Sequence, residues 1–269
     1  MQTPQAIPTQ HRDLVKRVVH FRSGKLRWYV HPRADLAALK PLLERPDDFL
    51  KEPKWLLKDS ELVTLGRTAP FFPGEPRHWI LRRLNYGTLL HCVRDAVRPS
   101  RALRTFRFGL ALEQAGIATP RVLAAVEQRT MGWPIKGFVV TEELSPSTNV
   151  FEHLRGHGRL PRVVLVRLAE MIAHLHGQGL SHRDMKGTNI LLDEQLRPWL
   201  IDLDGMRRIR KTRVKRISFD LSRLASDFVP YPALLRFGGM RFLKLYCQQR
   251  DWAGQERMLA TRISKWLRR

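Results

Sequence analysis

The sequence predicts an α+β protein of two lobes, in which a strand-rich lobe is followed by a mainly helical one. Strand-like runs over residues 62–65 and 79–81 are separated by a proline- and glycine-rich turn over 70–76. A long amphipathic pattern over 163–177, typical of a helix with one buried side, opens the later part of the chain. This order, with strands first and helices afterwards, is the basis of the two-lobe prediction.

Length and composition bound the class of protein. The chain has 269 residues, 43% of them hydrophobic, which suits one large core or two small lobes. No apolar run is long enough for a transmembrane helix, and the N-terminus lacks the apolar core of a secretory signal. The two cysteines, Cys92 and Cys247, lie far apart and show no metal-ligand spacing. We therefore expect no disulfide framework and a reducing compartment.

These patterns divide the chain into three segments. Residues 1–52 form an N-terminal extension, 53–145 a strand-rich lobe for the nucleotide, and 146–269 a helical lobe for catalysis. The strand-like patterns cover residues 25–30, 62–65, 79–81 and 138–141. The helical patterns cover residues 35–39, 100–115, 163–177, 219–228 and 239–247.

The stretch from Ser181 to Asn189 carries the strongest chemical signal. It contains the pattern His-Arg-Asp-x-Lys-x-x-Asn, and a second aspartate, Asp202, follows it. Phosphoryl transfer needs positioning and charge neutralisation more than covalent help. We interpret Asp184 as the group that orients the acceptor hydroxyl and accepts its proton. Lys186 would neutralise charge on the transferred phosphate, and Asn189 and Asp202 would bind Mg²⁺.

A predicted hairpin explains how the two metal ligands meet. Residues 190–193 have the pattern of a buried strand that enters a turn, and residues 198–201 that of the return strand. The hairpin would bring Asp202 back to the end at which Asn189 lies. Asp204 follows on the same face of a continued strand, where a second metal ligand and a turn residue are both possible, and we favour the turn.

Two residues of the motif are given no reaction role. We interpret His182 as a packing residue beneath the metal-binding turn, and we assign no chemistry to Arg183. The complete pattern is that of the protein-kinase-like phosphotransferases, so the prediction becomes a two-lobed kinase-like fold. Only 64 residues follow Gly205. This is too few for the late helices of a kinase that acts on proteins, so we expect a shortened helical C-lobe.

The nucleotide side departs from the usual kinase pattern. Kinase-like folds place a lysine on the third strand and pair it with a glutamate of the following helix. Arg82 stands at the position of that lysine, and Thr105 at the position of the glutamate. Lys58, from the first strand of the lobe, is an alternative cation, and Glu113 lies about two helical turns from the expected glutamate. No glycine-rich phosphate loop is present, and Arg82 and Lys58 both remain candidates.

The strand over 138–141 ends in a candidate adenine site. Glu142, Glu143 and Leu144 follow it directly. In a kinase-like fold this is the last strand before the hinge, so backbone groups from Glu142 to Leu144 are predicted to pair with adenine. The alternative interpretation is a plain strand end with solvated glutamates.

Three parts of the sequence carry a resemblance to a known family. They are residues 98–102 with 115–120, residues 182–193 with 200–204, and residues 220–224. In these parts the chain resembles the bacterial lipopolysaccharide core kinases, which phosphorylate Kdo or heptose near lipid A. The resemblance implies ATP and Mg²⁺ as cosubstrates and a sugar hydroxyl as acceptor, anchored in the inner leaflet. It also implies Asp184 as the base, with Asn189 and Asp202 as metal ligands.

The charge balance indicates an anionic partner. Lysine and arginine number 48 against 25 acidic residues, a formal net charge of +23. The densest basic run, 207–216, includes Arg207, Arg208, Arg210 and Lys211. We interpret it as a docking site for the lipid-anchored anionic acceptor or for the inner leaflet, with a solvated face as the alternative. Nucleic acid is disfavoured because no stacking aromatics are interleaved with the basic residues.

Three functional hypotheses follow. The leading one is a kinase for an inner-core sugar, peripheral on the cytoplasmic face of the bacterial inner membrane. The second is a kinase for another acceptor. The third is a pseudokinase or scaffold that binds anionic glycolipid or membrane, motivated by Arg82 and Thr105. The intact catalytic pattern favours an enzyme over the pseudokinase.

Overall fold

The structure, a computed structural model, divides the chain into two compact units. The described residues are 18–52, 56–61, 63–68, 78–85, 99–131, 133–210 and 212–268. The first unit comprises Met1–Gln114 and Pro120–Glu143, and the second comprises Ala115–Thr119 and Leu144–Arg269. Leu62, Cys92 and the predicted turn over 70–76 lie outside the described residues.

A seven-stranded antiparallel sheet is the frame of the first unit. Its strands are β1 (Val19–Ser23), β2 (Leu26–Val30), β3 (Leu56–Asp59), β4 (Val63–Arg67), β5 (Trp79–Asn85), β6 (Val122–Thr130) and β7 (Trp133–Glu142). They lie in the order β1–β2–β6–β7–β5–β4–β3. The segment predicted as an extension, 1–52, therefore contributes two strands to the sheet, because β2 pairs with β6 from Leu26↔Gln128 to Val30↔Ala124.

Each face of this sheet is covered by a helix. On one face, α1 (Leu36–Glu44) packs in a core that includes Leu81 of β5. On the other, α2 (Arg101–Gln114) packs in a core that includes Leu84 of the same strand. Because side chains alternate along a strand, these two leucines point to opposite faces. α2 also reaches β7 closely, since a Cβ at Gly137 would lie 2.9 Å from the Cβ of Ala102.

Local capping fixes where these helices begin. The carboxylate of Asp35 accepts hydrogen bonds from the amides of Ala37 and Ala38 at 2.9 and 3.2 Å, which starts α1. The hydroxyl of Ser100 accepts from the amide of Leu103 at 3.1 Å, which starts α2. Both helices were predicted near these positions from the sequence.

The second unit is mainly helical. Its helices are α3 (Val150–His157), α4 (Arg162–Gly177), α5 (Val214–Ser226), α6 (Gly239–Gln249) and α7 (Glu256–Leu267), with a π-helical turn over Leu234–Gly238. Its strands are β8 (Thr148–Asn149), β9 (Leu180–Ser181), β10 (Ile190–Leu192), β11 (Pro198–Leu200) and β12 (Arg207–Arg208). They form the small sheets β11–β10–β8 and β12–β9.

The helical unit confirms the strongest sequence pattern and extends the weaker ones. The amphipathic pattern over 163–177 is α4, and its Leu168 and Ile172 are buried. The helix predicted over 219–228 is α5, which begins earlier, at Val214, in a basic stretch that hides its periodicity. α3 and α7 were not predicted. None of the described helices is both long and apolar enough to cross a membrane.

Candidate active site

The catalytic loop runs from β9 to β10 and ends in a single turn of 3₁₀ helix over Gly187–Asn189. β10 and β11 form the predicted hairpin, with Ile190 opposite Leu200. The amide of Ile201 donates to the carbonyl of Asn189 at 3.0 Å, so the residue before Asp202 is bonded to Asn189. The hairpin prediction is therefore confirmed, and it places the two predicted metal ligands at one end of the hairpin.

The base candidate, Asp184, is surrounded by three donors. Lys186 Nζ lies 3.0 Å from its Oδ1, and Arg223 Nη2 donates to the same oxygen at 2.9 Å. Asn189 Nδ2 donates to Oδ2 at 3.2 Å and to the Asp184 carbonyl at 2.9 Å. Although burial acts to raise it, the hydrogen bonds from Arg223 and Lys186 hold the pKa of Asp184 below its usual range. The carboxylate is thus ionised at neutral pH, and its side chain is still 41% exposed.

Backbone strain accompanies this arrangement. Arg183 and Asp202 both adopt left-handed conformations, with φ of 68° and 59°. Such conformations cost a non-glycine residue about 1–2 kcal/mol, so the surroundings must hold them in place. Close packing does so in part, since a Cβ at Gly205 would lie 3.0 Å from the carbonyl oxygen of His182. His182 is itself buried, and its Nε2 pairs with the carbonyl of Ile201 at 2.9 Å, in keeping with the predicted packing role.

Helix α5 supplies residues to the site that the sequence analysis did not identify. The buried carboxylate of Asp220 accepts hydrogen bonds from the amides of His182 and Arg183, both at 2.9 Å. One turn later Arg223 contacts Asp184, and Asp227, the residue directly after α5, accepts from the amide of Gly187 at 2.6 Å. The spacing of 220, 223 and 227 places all three on one face of the helix. That spacing within an amphipathic helix was the available signal.

The same loop is anchored further inside the unit. His176 of α4 lies with its Nε2 3.3 Å from Asp220 and its Nδ1 2.8 Å from the hydroxyl of Tyr246, and all three side chains are buried. Although burial acts to raise it, the hydrogen bond from His176 helps to hold the pKa of Asp220 below its usual range. Burial raises the pKa of Asp227. Asp220 is thus a buried anion whose hydrogen bonds hold the first residues of the catalytic loop.

The donor set at the hairpin end fits Mg²⁺ bound to phosphates. Among the described residues no cluster of three or more His, Cys, Asp or Glu side chains could hold a metal. Mg²⁺, however, usually takes only one or two carboxylates together with water and substrate phosphates. The Asn189 amide nitrogen is directed to Asp184, so that its Oδ1 could serve as a metal ligand together with Asp202. Asp204 lies in the 3₁₀ turn Leu203–Gly205, where a turn residue was favoured.

In the first unit, the two cation candidates share one row of the sheet. Lys58 is opposite Leu65, and Leu65 is opposite Arg82, which is opposite Val139. Directly paired residues point to the same face, and Val139 is buried against α2. Lys58 and Arg82 therefore lie on the face that α2 covers, two strands or about 10 Å apart. Arg83, on the opposite face, donates to Asp47 at 3.1 Å.

The helix residues near this row do not supply a glutamate partner. Thr105, at the expected glutamate position, is buried in α2. Glu113, the nearest alternative, binds His31 Nε2 at 2.8 Å and lies 3.7 Å from both Arg33 and Arg121. The carboxylate of Glu113 is thus already paired with His31, Arg33 and Arg121.

The three residues of the predicted adenine site, Glu142, Glu143 and Leu144, differ in whether their backbone groups already form hydrogen bonds. In the first unit the Glu142 amide donates to the carbonyl of Arg121 at 2.9 Å, and the Glu143 amide donates to His78 at 3.0 Å. In the second unit the Leu144 carbonyl accepts from the hydroxyl of Ser147 at 2.7 Å. Within the described part of the chain, the Leu144 amide has no hydrogen-bond acceptor. It is therefore the better candidate donor for adenine.

The basic run is joined to the catalytic loop by β12. Arg207 pairs with Ser181 and Arg208 with Leu180 of β9, the strand that leads into the loop. Arg207, Arg208 and Arg210 are exposed. Lys211, the fourth residue of the predicted docking site, lies outside the described residues. The run is thus an exposed cationic edge next to the loop.

Comparison with known proteins identifies relatives along most of the chain. The model of the lipopolysaccharide kinase (Kdo/WaaP) family matches residues 65–256. A 3-deoxy-D-manno-octulosonic acid kinase from Xanthomonas axonopodis pv. citri is 31% identical over 175 residues, 60% of this chain and 69% of the relative. The kinase of the same name from Vibrio parahaemolyticus is 28% identical over 109 residues, 40% of this chain and 45% of the relative. The corresponding kinase from Xylella fastidiosa strain M23 is 31% identical over 115 residues, 42% of this chain and again 45% of the relative.

A solved structure confirms the predicted fold. The structure described as WaaP in complex with acyl carrier protein superimposes with a TM-score of 0.56 and 21% identity, over 79% of this chain and 87% of that one. WaaP has a protein-kinase-like fold, so the α+β, kinase-like prediction is confirmed. Because the family model covers more than half of the sequence, the chain belongs to the lipopolysaccharide kinase (Kdo/WaaP) family.

Proposed function

We propose that the protein transfers a phosphoryl group from ATP, with Mg²⁺, to a hydroxyl of the lipopolysaccharide inner core. The observation that carries this proposal is the placement of Lys186 and Asn189 within 3.0 and 3.2 Å of the Asp184 carboxylate. Membership of the family supports a lipopolysaccharide acceptor. The names of the curated relatives favour 3-deoxy-D-manno-octulosonic acid over heptose as the sugar that receives the phosphate.

The acceptor side of the reaction rests on Asp184. Its carboxylate is exposed enough to accept a hydrogen bond from a sugar hydroxyl, which it would orient towards the phosphate. A weakly basic carboxylate is adequate because the transition state of phosphoryl transfer is loose, with little charge on the attacking oxygen. Lys186 adds positive charge at the same place, where it would neutralise the transferred group.

Each unit contains residues that are proposed to bind the nucleotide. Asn189 Oδ1 and Asp202 would hold Mg²⁺, which when bound neutralises charge on the phosphates of ATP. In the first unit Lys58 and Arg82 share the row that would face the phosphates. In the second, the Leu144 amide would donate to adenine. The intact set of Asp184, Lys186, Asn189 and Asp202 favours a kinase over a pseudokinase.

The charges of the acceptor and of the basic run support a place of action at the membrane. A lipid-anchored, phosphorylated acceptor is anionic, and the exposed run of Arg207, Arg208 and Arg210 leads directly from the catalytic loop. Each basic residue at an anionic leaflet contributes about 1 kcal/mol. We therefore place the protein peripherally on the cytoplasmic face of the inner membrane, with the run as its docking site for acceptor or leaflet.

Phosphate transfer from labelled ATP tests this function. The acceptors are Kdo–lipid A, heptosylated core and a generic protein, each with the wild type, Asp184→Asn and the control Asp251→Asn, an exposed aspartate in the second unit. We expect label in Kdo–lipid A, a loss of about 10²- to 10⁴-fold in the Asp184 variant, and no change in the control.

The other outcomes distinguish the alternatives. Label in the heptosylated core alone would reassign the acceptor sugar. Label in the protein, or full activity of Asp184→Asn, would refute the proposed acceptor or the proposed base. No label in any acceptor, with ATP still bound, would support the pseudokinase.

A further inference from the structure

Arg223 is a cation at the reaction centre that phosphoryl transfer does not require. Its Nη2 donates to Asp184 Oδ1 at 2.9 Å, the oxygen that Lys186 already approaches at 3.0 Å. A second cation on that oxygen makes the carboxylate a weaker base, which does not help it to accept a proton. Arg223 therefore needs an explanation other than the transfer step itself.

The architecture of the loop does not require Arg223 either. Asp220 holds the amides of His182 and Arg183, and Asp227 holds the amide of Gly187, so the backbone is fixed on both sides of Asp184. Of Asp220, Arg223 and Asp227, only Arg223 forms a hydrogen bond with a side chain that is proposed to take part in the reaction. Its guanidinium group thus points to the side of the loop where the substrate would bind, and it does not hold the loop backbone.

The guanidinium group has donors left for a ligand. A guanidinium presents five N–H groups in a planar fork, and within the described part of the chain Asp184 is the only hydrogen-bond acceptor of the Arg223 side chain. That side chain is 35% exposed. The matching ligand of such a fork is a carboxylate or a phosphate, which it binds through two parallel hydrogen bonds.

The acceptor named in the curated relatives, 3-deoxy-D-manno-octulosonic acid, is a sugar acid. A hydroxyl placed on Asp184 brings its neighbouring substituents next to Arg223, because the two side chains are in direct contact. We propose that Arg223 binds the carboxylate of the sugar-acid acceptor and thereby positions its hydroxyl on Asp184. This inference rests on the proposed function and adds to it the residue that selects an acidic sugar over a neutral one.

Removal of the two partners, one from the enzyme and one from the acceptor, tests the contact. The acceptors are Kdo–lipid A and the same molecule with the Kdo carboxylate converted to a carboxamide. The enzymes are the full-length wild type, Arg223→Gln, Arg223→Lys and the matched control Arg262→Gln, an exposed arginine of α7. For each pair we would measure kcat and KM for transfer, together with acceptor binding in the absence of ATP.

We expect the wild type to prefer the carboxylate acceptor by about 10- to 100-fold in kcat/KM, mainly through KM. In Arg223→Gln this preference should fall to within about twofold of unity, and Arg223→Lys should retain part of it because its charge remains. Arg262→Gln should keep the full preference. Any effect of Arg223 on the basicity of Asp184 or on folding applies to both acceptors and cancels in the ratio.

The results separate this inference from the proposed function. A wild type that phosphorylates both acceptors equally, or an Arg223→Gln variant with an undiminished preference, would overturn the carboxylate site while the kinase stands. Binding that loses its preference in Arg223→Gln, without transfer by any enzyme, would support the site and refute the kinase.

Discussion

The two units of the chain differ in how the charged residues of their candidate sites are paired. In the second unit the carboxylates that hold or line the catalytic loop have defined partners: Asp184 has Lys186 and Arg223, and Asp220 and Asp227 hold backbone amides. In the first unit two cations stand in one row of a sheet, and the helix beside them offers no glutamate at the expected position. The proposed acceptor side of the site is thus fixed by many contacts, whereas the first unit lacks the usual lysine–glutamate pair at the positions where it is expected.

The largest effect should come from the metal site of the second unit. Asp202→Ala removes the only carboxylate of the proposed ligand pair, so Mg²⁺-dependent ATP affinity should fall by more than about 100-fold. Equilibrium binding of ATP at several Mg²⁺ concentrations measures this. The control is Asp204→Ala, which lies in the adjacent 3₁₀ turn and should change affinity little. Equal losses in both variants would make Asp204 a second metal ligand. Unchanged affinity in Asp202→Ala would show that Asp202 does not bind the metal.

The basic edge of the second unit should give the next largest effect. Replacement of Arg207, Arg208 and Arg210 by Ser should weaken binding to anionic vesicles on the order of 100-fold, at about 1 kcal/mol per residue. ATP affinity should remain unchanged. The matched control replaces three exposed arginines of the C-terminal segment, Arg257, Arg262 and Arg268, by Ser. Equal weakening in both triple variants would attribute vesicle binding to net charge alone. No weakening would mean that the basic run over 207–216 is only a solvated face.

The same contrast describes what could be predicted from the sequence. In the second unit the motif residues are local in sequence, so the catalytic loop, the β10–β11 hairpin and α4 were all predicted. Arg223 and Asp227 were missed because charged residues of an amphipathic helix are normally taken as its solvated face. Only contact with a distant loop shows that they face inwards.

In the first unit the failures have another cause, the pairing of distant strands. The periodicity of residues 25–30 predicted a strand but not its partner, and β2 pairs with β6, about a hundred residues later. The row that joins Lys58 to Arg82 likewise depends on strand register, which a single sequence does not encode locally. The sequence therefore left these two residues as alternatives, whereas the sheet places them in one row, with Leu65 between them.

A third prediction tests whether that row replaces the usual lysine. Lys58→Gln and Arg82→Gln should each raise the KM for ATP by about 10-fold, because each removes a charged hydrogen bond to a phosphate. If both residues reach the nucleotide, the double variant should combine the two losses. Steady-state kinetics with varied ATP would measure this, with Lys40→Gln, an exposed lysine of α1, as the control. An effect of one single variant only would identify the one residue that serves the phosphates.

The smallest effect should come from the ion pair that ties β2 to α2 in the first unit. Glu113 accepts a hydrogen bond from the buried His31 at 2.8 Å. This bond is the main reason why the pKa of Glu113 lies below its ordinary value of 4.5, with burial opposed to it and Arg121 and Arg33 in support. Glu113→Gln should therefore cost about 1 kcal/mol of local stability at neutral pH.

The pH dependence gives this last prediction its sign. A carboxylate with a depressed folded-state pKa contributes stability that is fully present above its unfolded pKa and is lost as pH falls through the folded value. Hydrogen exchange of β2 and α2 should thus separate wild type from Glu113→Gln at pH 7, and the difference should shrink as the pH falls below 4.5, the ordinary pKa of the carboxyl. Glu44→Gln, in an exposed pair with Lys40, should match the wild type throughout. A difference that persists unchanged in acid would mean that Glu113 acts through its shape and not through its charge. The first unit would then not depend on a charged carboxylate to hold β2 and α2 together, whereas the second unit holds its catalytic loop with the buried Asp220.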